Sequence, residues 1–271
     1  MALAYNEVDV VRPPRLRPGD EVRVVALGGG EPDEGIRARL ESLGLRVSVG
    51  AYTTDEIEAV NRALRDPGVR AIVAAPGGEW AHRVVDRLDF GTASAYPKLL
   101  IAGAGHTIVH LALWERSGLA GLRGDPAGAF STDPVVVAAD PKAPTGELTT
   151  TGRCQGVLLG GDQDQVAAAA GWMLPSLSGA ILLLEGHGPH HTHVDRQLTM
   201  LRHAGRLDGL RGVAVGRFTD GGPRMLEVLH DRLGALGVPL LGGLALDDLP
   251  IGTMAELDAD AGTLTVDAAV S

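Results

Sequence analysis

The chain has 271 residues and is 45% hydrophobic, enough for one large domain or two smaller ones with a sizeable core. Aromatics are only 3%, so that core must come mainly from Leu, Val and Ala, and the 38 glycines and 16 prolines require many tight turns, which excludes coiled coil and disorder. A formal net charge of −10 excludes a nucleic-acid partner without a strong basic patch, and the arginines between Arg12 and Arg17 are broken by prolines and read as a surface arm.

In chain order, residues 22–27 read as a buried strand ended by Gly28-Gly29-Gly30, residues 36–43 as a helix and residues 45–49 as a second strand. Thr54 is placed to cap a helix over 55–64. Residues 69–75 form an apolar strand closed by Pro76-Gly77-Gly78, followed by a helix over 80–88. A short strand over 99–102 and a helix over 107–115 come next. This alternation implies a parallel sheet with helices on its faces. From about 126 to 152 the pattern breaks, as in an interdomain connection. Beyond it, 157–159, 180–184, 212–215, 238–241 and 263–266 read as strands, and 194–203 and 223–233 as helices. The expected organisation is an α/β domain over 1–135, a linker over 136–153 and a second α/β domain over 154–271.

Ligands in such folds gather beyond the carboxyl ends of the strands, which points to the loops 28–30, 76–80, 103–106 and 185–193. Gly103-Ala104-Gly105-His106-Thr107 lies where a nucleophile elbow would hold one side chain over the sheet edge. Its centre is Gly105, which accommodates a strained turn but has no atom for covalent attack. Thr107 reads as a cap or a packed residue. His106 begins a helix, where the dipole disfavours imidazolium, and suits a neutral base or a hydrogen-bond donor. His110 either packs or joins His106 as an i, i+4 metal pair. Gly77-Gly78 form a simple turn or offer amides to an oxyanion or carboxylate. Glu79 is a candidate base or a solvated carboxylate.

The densest polar cluster runs from Glu185 through His187, His190, His191 and His193 to Asp195. Three readings stand: a substrate pocket, surface histidines, or a divalent-metal site, such as zinc, made by Glu185, His190 and His193. Asp195 could begin the next helix and orient a base. Asp247-Asp248 supply a cleft carboxylate or a solvated turn, and Gly160-Gly161-Asp162 reads as architecture. No glycine-rich stretch matches a dinucleotide fingerprint or a phosphate loop. No apolar run is long enough to span a bilayer. The lone Cys154 and a charged, proline-broken start point to a cytoplasmic protein without a disulfide.

Ordered landmarks carry a resemblance. They begin with Pro13-Pro14-Arg15-Leu16-Arg17-Pro18-Gly19-Asp20, Asp66-Pro67-Gly68-Val69 and Tyr96-Pro97-Lys98. They continue with Gly160-Gly161, Leu183-Leu184-Glu185, Asp195-Arg196, Gly216-Arg217-Phe218 and Pro250-Ile251-Gly252. Over almost its whole length the chain resembles the LD-carboxypeptidase family of serine peptidases, which includes microcin C immunity peptidases. The resemblance implies an N-terminal open parallel sheet with flanking helices and a smaller C-terminal α/β domain with a β-rich, barrel-like core. It also implies an active site between them, a homodimer, and amide cleavage near a free carboxylate by a metal-free Ser–His–Glu triad.

By the same resemblance, Gly105 takes the place of the serine in the family's Gly-Tyr-Ser-Asp elbow, and Gly77-Gly78 match the oxyanion glycines, with Pro76 for the usual arginine. Glu185 matches the triad glutamate, and the triad histidine falls at Asp247 or Asp248, preferably Asp248. His193 takes a place usually held by Arg or another long polar residue. Without serine and histidine the acyl-enzyme route is missing. The expectation is a repurposed, cofactor-free enzyme, a non-serine hydrolase, cyclase or isomerase. His106, Glu185, His193 and Asp248 would move protons around an amino-acid or peptide-like small molecule held by Gly77, Gly78, Glu79 and Gly105. The alternatives are a non-catalytic binder or assembly subunit, and a metal-assisted hydrolase using Glu185 and histidines.

Overall fold

The computed structural model describes residues 10–29, 34–50, 56–219, 222–246 and 248–271. Gly30, Thr54, Asp55 and Asp247 lie outside the described residues. The chain divides into two compact units. One is built from Asp9–Asp133, Asp247–Gly252 and Ala268–Ser271, the other from Pro134–Leu246 and Thr253–Asp267.

The N-terminal unit is an open sheet of five parallel strands, β1 (Glu21–Val25), β2 (Arg46–Val49), β3 (Val69–Ala74), β4 (Leu99–Ile101) and β5 (Gly121–Arg123). A strand from late in the chain, β11 (Leu249–Ile251), adds antiparallel to β5, giving the order β11-β5-β4-β3-β1-β2. Four helices connect the strands: α1 (Glu34–Ser42), α2 (Glu56–Arg65), α3 (Phe90–Ala95) and α4 (Thr107–Ser117). Helix α2 buries Ile57, Val60, Ala63 and Leu64, an apolar stripe at helical spacing, while its charged residues bracket the ends. Helix α4 is buried from Thr107 to Trp114 and stops at Gly118, whose left-handed backbone lets its N–H donate to Trp114 O. The helix expected over 80–88 is instead two 3₁₀ turns, Ala81–Arg83 and Val85–Arg87, because Val84 at φ −130° interrupts the helical backbone. Ala269 and Val270, from the end of the chain, join Leu16, Val22 and Leu99 in the core of this unit.

The C-terminal unit contains β6 (Val135–Ala138), β7 (Arg153–Asp162), α5 (Gln163–Ala169), β8 (Ile181–Gly186), α6 (His191–His203), β9 (Gly212–Phe218), α7 (Gly222–Gly234), β10 (Leu240–Leu241), β12 (Met254–Asp258) and β13 (Thr263–Val266). Its sheet runs β10-β9-β8-β7-β12-β13-β6, with the first four strands parallel and the rest antiparallel. Strand β7 divides its length between two partners. Arg153 to Val157 pair with β12, and Leu158 to Asp162 pair with β8. A ten-residue strand that changes partner halfway cannot stay in one flat layer, and this sheet curls into a barrel-like form. Strand β8 is buried at every position, as a central parallel strand should be, whereas β6 alternates along its length as an edge strand does.

The stretch where the sequence pattern breaks is structured. Strand β6 pairs with β13, and a 3₁₀ turn over Pro144–Leu148 follows. The hydroxyls of Thr145 and Thr149 accept the N–H groups of Gly243 and Gly242 at 3.0 and 3.1 Å. Among the described residues no helix is long and apolar enough to cross a membrane.

Candidate functional site

In the N-terminal unit three loops meet at the carboxyl ends of β1, β3 and β4. Gly77 and Gly78 have φ of 138° and 100°, a backbone reserved in practice for glycine. The N–H of Gly78 donates to Gly28 O at 3.2 Å, as does that of Trp80 at 3.1 Å. The Gly28 N–H in turn donates to the Glu56 carboxylate at 2.6 Å. The Gly78 amide, offered by the sequence to an oxyanion, is therefore already bonded inside the protein.

Gly103-Ala104-Gly105-His106 forms a 3₁₀ turn, Ala104–His106, leading into α4. The glycine at its centre does not take a left-handed backbone, so the turn needs no glycine for its torsions. It needs one for space: a Cβ on Gly105 would fall inside the contact envelope of Gly77 O, and one on Gly78 would meet Gly105 O. Two glycine-bearing loops thus touch backbone to backbone. Thr107 is buried and its hydroxyl donates to Ala104 O at 2.8 Å.

His106 is 1% exposed. Its Nε2 lies 2.9 Å from Leu27 O, and since a carbonyl only accepts, Nε2 carries the proton and donates. The remaining base atom, Nδ1, is buried with no hydrogen-bond partner among the described residues. Burial holds the imidazole pKa below its ordinary value, against weaker opposing effects of the Leu27 bond and the Glu56 charge. His110 is also buried, with Nε2 facing Ala102 O at 3.4 Å, and burial pushes its pKa down to about 4. Glu79 is exposed. Asp248 is exposed too, and its carboxylate accepts the N–H of Asp125.

In the C-terminal unit the carboxyl ends of β7 and β8 bring two carboxylate residues side by side. Asp162 is the register partner of Glu185, and Glu185 is 4% exposed. Asp162 caps α5, accepting from Asp164 N and Gln165 N at 3.1 Å, and burial nevertheless raises its pKa. His187 Nδ1 lies 3.9 Å from Asp162. In the sequence Asp162 reads as part of a glycine turn. The available signal was its place at the end of an apolar strand, the same place that singled out Glu185.

The other histidines separate. Helix α6 starts at His191, earlier than periodicity suggests, because His190 caps it by accepting from Thr192 N. The His190 and His191 rings sit 4.2 Å apart, while His193, on the helix, lies 4.0 Å from Asp164. Glu185, His190 and His193 form no metal-holding group: among the described residues no three His, Cys, Asp or Glu side chains converge in that way. Asp195 forms an ion pair with Arg232 at 2.5 Å.

Beside these strand ends a cleft of about 850 Å³ opens between the ends of β9 and β10, the start of α7 and the 3₁₀ turn. Phe218, Met225, Leu226 and Leu244 give it apolar walls, and Arg217 and Thr219 give it polar edges. A mainly apolar concavity with a few polar groups is the usual form of a small-molecule site.

The family model of the LD-carboxypeptidase N-terminal domain matches residues 22–124, and that of the C-terminal domain matches residues 155–247. The chain belongs to the LD-carboxypeptidase family. A Streptomyces coelicolor protein whose name assigns it to the carboxypeptidases is 33% identical, over 96% of this chain and 97% of its own length. The crystal structure of a muramoyltetrapeptide carboxypeptidase from Oxalobacter formigenes superposes with a TM-score of 0.74 at 23% identity, covering 91% of this chain and 98% of that one. The microcin C7 self-immunity protein MccF, in complex with aspartyl sulfamoyl adenosine, superposes with a TM-score of 0.78 at 17% identity, covering 96% and 100%. At these identities the two structures establish a shared LD-carboxypeptidase fold.

Proposed function

We propose that this LD-carboxypeptidase-family protein binds an amino-acid or peptide-like small molecule and forms no acyl-enzyme. One observation carries the reading: the space that any side chain at residue 105 would need is filled by the carbonyl oxygen of Gly77. The position the resemblance gives to the serine is thus closed to side chains in general. Neighbouring positions support the same reading. The Gly78 amide is bonded to Gly28, the His106 ring to Leu27 and the Asp248 carboxylate to Asp125. Burial of His106 Nδ1, the ring atom left to accept a proton, weighs against proton transfer there. The apolar cleft edged by Arg217 supports binding, since a cation beside apolar walls suits a carboxylate-bearing ligand with an aliphatic side chain.

A second reading, acid–base catalysis without a covalent step, is favoured by the neighbouring strand-end residues Asp162 and Glu185. A carboxyl with a raised pKa beside a second carboxylate suits water activation.

The test is to titrate the purified chain with a muramyl tetrapeptide and with aspartyl sulfamoyl adenosine by calorimetry, then to follow both compounds by mass spectrometry. Saturable binding of intact compound is expected. A trapped acyl group on a Ser or Thr would overturn the reading, as would failure to bind either compound. Hydrolysis without an adduct, abolished by Glu185→Gln and Asp162→Asn, would select the second reading.

A further inference from the structure

At the amino ends of the parallel strands in the N-terminal unit, away from the glycine loops, lies a pocket of about 290 Å³ lined by Pro14, Arg15, Arg17, Asp20, Arg70 and Ser271. Local structure accounts for its arginines. Leu16 is 2% exposed and its N–H donates to Ala129 O at 2.9 Å, so it is pinned inward. Arg15 and Arg17 flank it and are both exposed, leaving the chain on the outer side. Arg70 is the one exposed residue of β3, and the pairing of Val69 with Glu21 sets it beside the turn before β1. The backbone around the pocket is tied down: Arg15 N donates to Ser271 O at 3.0 Å, and Ser271 N donates to Pro13 O at 2.9 Å.

The charge here is unbalanced. Arg23, Arg37, Arg39, Arg62 and Arg65 of the same unit all pair with carboxylates. Among the described residues, the guanidinium groups of Arg15, Arg17 and Arg70 have no ion pair or hydrogen-bonded partner. Asp20 is the one acidic side chain in the lining and accepts the backbone N–H of Arg17 at 2.8 Å, so cationic side chains outnumber acidic ones there. Burial holds the pKa of nearby Lys98 down, with smaller contributions from the charges of Arg23 and Arg70 and against the charge of Asp66. Collecting unpaired cations in one concavity of a chain with net charge −10 concentrates positive potential there. Guanidinium forks bind oxyanions two oxygens at a time, and a pocket of about 290 Å³ has room for a tetrahedral group together with part of what carries it.

We propose that Arg15, Arg17 and Arg70 form a binding site for a phosphate-bearing anion, independent of the peptide-like ligand proposed for the C-terminal unit. The test uses the full chain and inorganic phosphate in calorimetry at constant ionic strength, with chloride as the compensating anion. Saturable one-site binding is expected, weakened at least tenfold by Arg70→Gln and by Arg17→Gln. It should be unchanged in Arg62→Gln, a surface arginine that pairs with Glu58. A phosphate-dependent rise in melting temperature, seen in the parent and absent from the two pocket variants, is the second readout. Non-saturating heats, equal affinity in the pocket variants, or the same response to chloride would each overturn the proposal.

Discussion

The carboxyl ends of the parallel strands are finished differently in the two units. In the N-terminal unit the loops spend their polar groups on one another: Gly78 on Gly28, Gly28 on Glu56, His106 on Leu27. In the C-terminal unit the strand ends carry Asp162 and Glu185 next to each other, and a cleft with apolar walls opens beside them. The same sheet architecture therefore serves as packing in one place and as a candidate site in the other. What separates them is whether backbone contacts have already consumed the space and the hydrogen-bonding groups.

The largest effect should come from forcing a side chain into the closed loops. Gly105→Ser should destabilise the protein by about 3 kcal/mol, because the contact with Gly77 is backbone and cannot rotate away. It should also yield no hydrolysis of muramyl tetrapeptide. Gly103→Ala is the control: a Cβ there meets nothing within 4 Å, and chemical unfolding should shift by less than about 0.5 kcal/mol. A stable, active Gly105→Ser variant would erase the contrast between the units.

Acid should act nearly as strongly, again through the N-terminal unit. The folded pKa of His110 is about 4, below the ordinary 6.5, so the unfolded chain takes up the proton first as pH falls. The stability contributed by neutral His110 is complete above pH 6.5 and is lost progressively down to about 4, by about 3 kcal/mol. The lowered pKa of His106 acts in the same direction. Unfolding curves across this range should flatten in His110→Leu.

In the C-terminal unit, changes should touch binding before stability. Arg217→Ala, and Leu226→Trp to fill the cleft, should each weaken binding of the peptide-like probe about tenfold, or about 1.4 kcal/mol, with little change in melting temperature. The smallest effect concerns Asp162. Its folded pKa is raised, so its contribution to stability grows as pH falls and is least favourable at neutral pH. Asp162→Asn keeps a capping side chain while removing the buried charge, and should change stability at pH 7 by less than about 1 kcal/mol.

Strands β1 to β4 and helices α1, α2 and α4 of the N-terminal unit were legible because apolar runs, turn glycines and the stripe on α2 are local signals, whereas α3 was not. Strands β5, β6, β11 and β12 were not, being short or set among mixed residues and defined by their partners. At the candidate site, Glu185 stood out by its place at the end of an apolar run, whereas the value of Asp162 depends on the register between β7 and β8. His106 was visible as a residue type at a helix start, but its burial was not, since Leu27 lies far from it in sequence.

The sequence by itself determined the α/β alternation, the family resemblance and the lack of any attacking atom at residue 105, because periodicity and residue identity are local properties. Only the tertiary structure decided that Gly77 fills the space beside Gly105, that β7 divides between two partners, and that Arg70 joins Arg15 and Arg17. Each of these arises from groups distant along the chain brought into one place, and local pattern does not encode which of them will meet.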